Sequence, residues 1–472
     1  MNPLIRILSA VILVMKAAPA LSAAVFTWDG GDLVGSDWSA GNNWATNTAP
    51  ATDGTADLIF TGTTRLAPVA NLNWSIRSLA FSAGAGGFVI QGNPLTIGVG
   101  GIVHSDDSVQ TIQNDLVLAA AQIFRTTSTG SFSVNGSIDT NGNTLTVDGS
   151  TRFILLGGAI TGTGGLTSIG VNSLVLTGES SNTYTGITSV SGNLLLGKTG
   201  GATAIPGTLI IGGGAGYNNV SVGFDEQIAD TSTVTIGSGA SLGLGKGVIE
   251  TVGALSIGNG TVRIDTGWLK TGSVAMTGGT ISSTAGGRLI LNGNLSATGG
   301  GLTPSTIAGR LDLAGTSRTL LVADAAEAIE LEVSASIFNG SLVKTGAGTL
   351  RITGAQTYSA LLAQAGAVTL ETALGTGASS VTASPIAGIA KVNLNTSQRL
   401  AALTIGNGGV VNVGSLPPSP APEFPSGDLG DFPKPDPLFA TNGRQSVPEA
   451  APSILLQIGA TCLLLGGRRR LD

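Results

Sequence analysis

VTIGSG, Val234 to Gly239, and LSIGNG, Leu255 to Gly260, decide how this chain folds. The same phrase returns as LTIGVG at 95–100, LIIGGG at 209–214 and LTIGNG at 403–408. In each copy apolar residues hold positions one and three, which point to the same side of a strand. A glycine follows, where the chain must bend tightly. Three neighbouring copies begin at positions 209, 234 and 255. Their spacing is short, and periods of about 20 to 50 residues mark solenoids or propellers. A propeller blade takes about 40 residues and carries aromatic signatures, neither of which is present. A unit of roughly 20 to 25 residues fits one coil of a parallel β-helix. The expectation is therefore an all-β solenoid over 75–415. That span supplies roughly 14 to 16 coils, a rod on the order of 70 Å long at the strand spacing of about 4.8 Å.

Composition agrees. Glycine accounts for 73 of 472 residues, roughly twice the usual share, while charged residues are 11% and aromatics 4%. Many short strands with a turn after each suit that mixture. A helical enzyme does not, because glycine costs about 1 kcal/mol at each helix-interior position. The formal charge is −6. Removing both ends would take away Arg6, Lys16, Arg468, Arg469, Arg470 and Asp472, leaving a still more acidic body. Nucleic acid is therefore excluded as a partner.

A longer phrase refines the reading. Residues 173–194, SLVLTGESSNTYTGITSVSGNL, and 349–368, TLRITGAQTYSALLAQAGAV, share a Leu-x-(Leu/Ile)-Thr-Gly strand, a polar turn with Thr-Tyr, and a second strand ending at glycine. Together with KTGAGTL from Lys344 to Leu350, this resembles the autotransporter-associated β-strand repeat. The resemblance implies a right-handed parallel β-helix in a secreted, surface-displayed protein.

The ends differ from the body. Arg6, the apolar run Ile7 to Met15 and the small residues APALSAA read as a secretory signal over 1–24, cleaved after Ala23 or Ala24. Residues 25–74 hold Trp28, Trp38, Trp44 and Trp74, four of the five tryptophans. Two readings stand: an end cap over the first coil, or a glycan-stacking platform with Trp28, Trp38 and Trp44 as candidate contacts. From Leu416 the chain turns proline-rich, with nine of its 18 prolines between 417 and 448, and reads as a semi-rigid stalk over 416–446.

The tail, 447–472, has three parts: Val447-Pro448-Glu449-Ala450, an apolar run from Ser453 to Gly467, and Arg468-Arg469-Arg470. An apolar helix of this length is short for a stable span, which takes about 20 residues. The order resembles the PEP-CTERM sorting signal, with Ala450 where that family usually has proline. The resemblance implies a secretion translocon and an exosortase-type enzyme as partners. It also implies transient tethering to the inner membrane and delivery to the surface or matrix of a Gram-negative-type bacterium. Exopolysaccharide or cell-surface glycans are the expected external partners. A permanent tail anchor is the alternative. No outer-membrane barrel can follow 415, so the export route differs from that of an autotransporter.

Catalytic constellations are thin. His104, the only histidine, sits in VHSDDS, where neighbouring residues point to opposite sides of a strand, so no local Ser–His–Asp site forms. Zinc has too few ligands, since the single cysteine is Cys462 in the tail, and no cofactor is expected. The rival class is a carbohydrate-active β-helix enzyme, whose acids would come from Asp106, Asp107 and Asp115, or from Asp225, Glu226 and Asp230. Arg263 and Asp265 read as a solvent-side ion pair, and Glu327, Glu330 and Glu332 as the wet side of a strand. The expectation is a non-enzymatic structural or adhesive protein.

Overall fold

Val234 pairs with Leu255 and Ile236 with Ile257 in parallel register, as the repeated phrase requires. The computed structural model describes residues 23–149, 152–213, 218–284, 286–301, 303–374, 378–414 and 454–456. These form a parallel β-solenoid of about 16 turns, with one short 3-10 turn at Gly41–Asn43 as the described helical element. Each coil crosses three faces. The first face runs from Ala24–Trp28 through Ala56–Phe60, Gln122–Thr126 and Leu145–Asp148 to Ala402–Ile405. The second begins at Val69–Ala70, passes Gln110–Ile112 and Phe132–Val134, and reaches Gly409–Val413. Leu116–Leu118, Ile138–Asp139 and Ile160–Thr161 belong to the third.

Alternation does the sorting. On the first face Ile211, Ile236, Ile257 and Met276 stack inward, and on the second Leu174, Leu194, Val220 and Leu242 do the same. All eight are buried, and each contributes about 1.5–3 kcal/mol on leaving water. Coil length varies: the partner of Leu255 on the next coil is Val274, whereas that of Leu209 is Val234, a longer step. The surplus is taken up at the corners. There the backbones of successive coils pass so closely that a Cβ on Gly293 would overlap the carbonyl oxygen of Gly272, and one on Gly272 that of Gly253. At these two corners only glycine fits without the backbone moving.

The longer repeats lie in phase. Leu174–Leu176 and Thr349–Ile352 both take the second face, and the segments that follow, the start of Thr188–Leu196 (Thr188, Ser189 and Val190) and Ala360–Ala363, take the first. Their tyrosines turn inward. Tyr184 bonds Thr188 Oγ1 and Tyr358 donates to Gln356 Oε1, each at 2.5 Å. The short phrase is less faithful. Leu95 of LTIGVG pairs with Trp74 and Leu116, which puts that copy on the third face while the other four copies lie on the first.

The N-terminal boundary moves. Ala24–Trp28 and Ala56–Phe60 pair in parallel, and Ala56–Phe60 pairs in turn with Trp74–Phe81, so the segment expected as a separate unit already supplies two rungs. Its tryptophans pack inside them. Trp38 lies 6.1, 5.7 and 5.6 Å from the rings of Trp44, Phe60 and Trp74, and Trp28 lies 5.3 Å from Trp44. Trp28, Trp38 and Trp44 are fully buried. The stacking-platform reading is corrected: aromatic area on this scale lowers the free energy most when rings cover one another, leaving no face for a sugar.

Of the tail, Ile454–Leu456 is described, and it forms a strand antiparallel to Gln398–Leu400 rather than a helical turn. The signal segment before Ala23, the proline-rich stretch 416–446, and Val447, Pro448, Glu449, Ala450, Arg468, Arg469 and Arg470 lie outside the described residues. Ala24 opens the first strand. No described helix is long and apolar enough to cross a membrane.

Candidate functional site

The acids singled out in the sequence are scattered, and most are engaged in holding turns. Asp106 accepts from the Ser108 and Gly84 amides at 2.7 and 2.8 Å. Asp107 takes Thr129 Oγ1 at 2.7 Å, Asp115 the Ser137 amide at 2.7 Å, and Asp225 the Ile249 amide at 2.7 Å. Glu226 accepts from Thr251, and Asp230 is exposed in a turn. Two expectations fail. Among the described residues Arg263 and Asp265 form no ion pair, because the strand ends at Ile264 and Asp265, already in the turn, accepts from Thr284 Oγ1. Glu330 is buried rather than wet, since it precedes its strand and turns in to accept the Thr349 and Ala325 amides. Glu332 does face out, and Glu327 accepts the Gly301 amide from its loop. His104 is fully buried between Phe81 and Phe132, and among the described residues neither ring nitrogen has a hydrogen-bond partner. Burial holds its pKa below the usual 6.5, against smaller opposing contributions from Ser108, Asp106 and Asp107. No described group of His, Cys, Asp and Glu could hold a metal ion.

Three interior ionisable groups make the fold pH-sensitive. Glu250 accepts from the Gln227 and Ile228 amides at 2.9 and 3.1 Å, and burial raises its pKa to about 8 despite those bonds. Lys198 donates to the carbonyls of Gly158 and Thr177, and Lys344 to those of Gly346 and Ala365. Burial lowers both to about 8. The folded state keeps the Glu250 proton longer than the unfolded chain, so that stability is present below about 4.5 and lost as pH rises to about 8. The lysines act oppositely: the unfolded chain holds their protons up to 10.5, so stability is regained from about 8 upward. Urea midpoints should therefore fall from pH 6.5 to 8, a window above the ordinary histidine pKa, and recover by pH 10. Glu250→Gln should flatten the falling limb, and a limb unchanged in that variant would refute the assignment.

The feature that stands out lies on the outer side of the second face. Asn193, Asn219, Ser241, Thr261, Thr280, Thr306, Glu332, Arg351, Thr369, Asn393 and Asn412 occupy one register position on successive coils. Every one is polar and at least partly exposed, with no apolar interruption from the first rung to the last. Parts of the ladder bond along the axis: Ser241 Oγ donates to Asn219 Oδ1 at 2.8 Å, and Asn412 Nδ2 to Asn393 Oδ1 at 2.8 Å. In its middle the loop at Thr303 and Pro304 raises one wall of a shallow groove of about 480 Å³, floored by Thr261, Thr280 and Thr306 with Asn259 beside them. Among the described residues the hydroxyls of Thr261 and Thr280 have no protein partner, so they are free to donate and accept. Hydroxyl, amide and backbone groups line the groove, a surface that can both donate to and accept from hydroxyl groups.

Comparisons of the chain with family models, with curated proteins and with solved structures find no match. Ser and Thr on outer strand positions are visible in the sequence, but their alignment into one track is not, because coils of unequal length shift the spacing.

Proposed function

We propose that this is a secreted, non-enzymatic rod of the bacterial surface or extracellular matrix, structural or adhesive in its work. The observation that carries the reading is the polar ladder from Asn193 to Asn412, a hydrogen-bonding track running along a rigid, dry core. Hydroxyl and amide side chains repeating at about 4.8 Å offer an extended glycan many weak, cumulative bonds. The tryptophan cluster closes the N-terminal end. The signal segment, the proline-rich stalk and the tail at Val447 to Ala450 with Arg468 to Arg470 serve export, spacing and removal by an exosortase-type enzyme. Support for a non-catalytic role comes from the acids that could have served a lyase or hydrolase, most of which already accept backbone or hydroxyl hydrogens.

Two measurements test it. Mass spectrometry of the extracellular protein should show a chain ending near Glu449; an intact C-terminus would refute sorting. Changing Thr261, Thr280 and Thr306 together to valine should alter stability by no more than about 0.5 kcal/mol per site. The same change should weaken retention on neutral matrix glycan by about tenfold or more, each lost bond being worth about 1 kcal/mol. Equal retention would remove the ladder as the contact surface.

A further inference from the structure

Trp268 is the one tryptophan outside the N-terminal cluster, and it lies half-buried on the outer side of the third face. Its register neighbours are Ile249 on the coil before and Arg288 on the coil after. Leu289 pairs with Leu311, which sets Arg310 beside Arg288 on the next coil, and Ser336 follows. A parallel track two residues on carries Thr251, Lys270, Ile290, Asp312 and Phe338. Three successive coils thus present Lys270, Arg288 and Arg310 on one strip with rings at both ends.

The strip is held in place by its own contacts. The Arg288 guanidinium lies 4.1 Å from the centre of the Trp268 ring, and its Nη1 is 3.2 Å from Asp312 Oδ2. Asp312 is in turn fixed by the Ala314 amide at 2.9 Å and Asn339 Nδ2 at 2.7 Å. The Arg310 guanidinium lies 5.0 Å from the Phe338 ring. Among the described residues neither Arg310 nor Lys270 is in an ion pair. Asp312 is the acid within the three-cation stretch, while Asp225 and Glu226 bond Ile249 and Thr251 at the end before Trp268, on a protein whose formal charge is −6.

We infer that this strip is a binding site for an anionic, carboxylate-bearing polysaccharide, lying across the coils with its acid groups on Arg310, Lys270 and the free edge of Arg288. A planar guanidinium matches a carboxylate through paired N–H bonds, which an ammonium does not. Trp268 and Phe338 supply flat apolar edges for sugar C–H surfaces. Cations on adjacent coils repeat at about 4.8 Å, so a polymer engages several at once where a single uronate engages one. A polyphosphate also carries repeated charge, but the acidic body around the strip repels its denser charge more strongly. The inference rests on the non-enzymatic reading and names a ligand for it on a different face from the polar ladder.

The test uses the full chain and three probes: polygalacturonate, neutral dextran and single-stranded DNA, in co-sedimentation at low and high salt. Polygalacturonate should be retained at low salt and released at high salt. Arg288→Gln with Arg310→Gln should weaken retention about tenfold or more, Trp268→Ala should weaken it by less, and dextran retention should not change in either. Because Arg288 also packs on Trp268, Lys270→Glu provides a variant with no packing role, and it should weaken retention too. Retention of polygalacturonate unaffected by Lys270→Glu and by the double variant overturns the site. Preferential capture of DNA overturns the assigned ligand. Shortening of the polygalacturonate, read by size-exclusion chromatography, would instead overturn the non-enzymatic reading.

Discussion

Trp38→Ala is expected to cost about 3–5 kcal/mol, the range for truncating a large aromatic in a packed core. The ring is fully buried and touches Trp44, Phe60 and Trp74, so no neighbour can collapse into its place without giving up its own contacts. Stability in a solenoid is a sum over coils and their interfaces, so the loss should appear first as unfolding of the N-terminal rungs, Ala24–Trp28 and Ala56–Phe60. Hydrogen exchange should show those amides opening at lower free energy than amides near Val262. Trp38→Phe separates ring packing from the indole N–H. Among the described residues the Nε1 of Trp38 has no hydrogen-bond partner, so phenylalanine gives up area but no bond and should cost much less. Equal melting of the alanine variant and the parent would show that the cluster carries no stability.

The second large effect is at a corner. Gly293→Val should destabilise by about 3 kcal/mol, the upper end for overpacking, because the added carbon meets the Gly272 carbonyl rather than a movable side chain. Gly243→Ala is the matched control. Gly243 lies on the outer side of Ala240–Leu244 with open space where a Cβ would go. Its replacement should be neutral or stabilising by about 0.4–1 kcal/mol, through the lower entropy of the unfolded chain. Thermal melting of the two variants side by side would settle whether corner glycines are required by packing or are merely tolerated.

The fold was legible because its signal is local and periodic. Val234 to Gly239 and Leu255 to Gly260 each carry alternation and a bend in one short phrase, and their spacing is one coil. Face assignment was less legible. LTIGVG at Leu95 has nearly the same letters as LTIGNG at Leu403 and lies on another face, since strands on different faces of a coil meet the same chemical demand. The burial of Trp28, Trp38 and Trp44 depends on the loop between the first two rungs folding back inside them, which no local pattern encodes. Glu330 misled for a related reason: one residue before a strand, the alternation rule no longer applies. The surface strip was invisible because Ile249, Trp268, Arg288 and Arg310 sit at unequal intervals along the chain, and no single period aligns them.

Coil stacking has a mechanical consequence. The ladder bonds between coils lie nearly along the rod's axis, so tension at its ends opens them one coil at a time instead of shearing the whole core together. Opening the coil from Leu255 to Val274 removes about 4.8 Å of rod and releases about 65 Å of extended chain. Tension on such a rod would be relieved in steps, each dissipating work, and the molecule would lengthen many times over while the force it transmits stays limited to that which opens one coil.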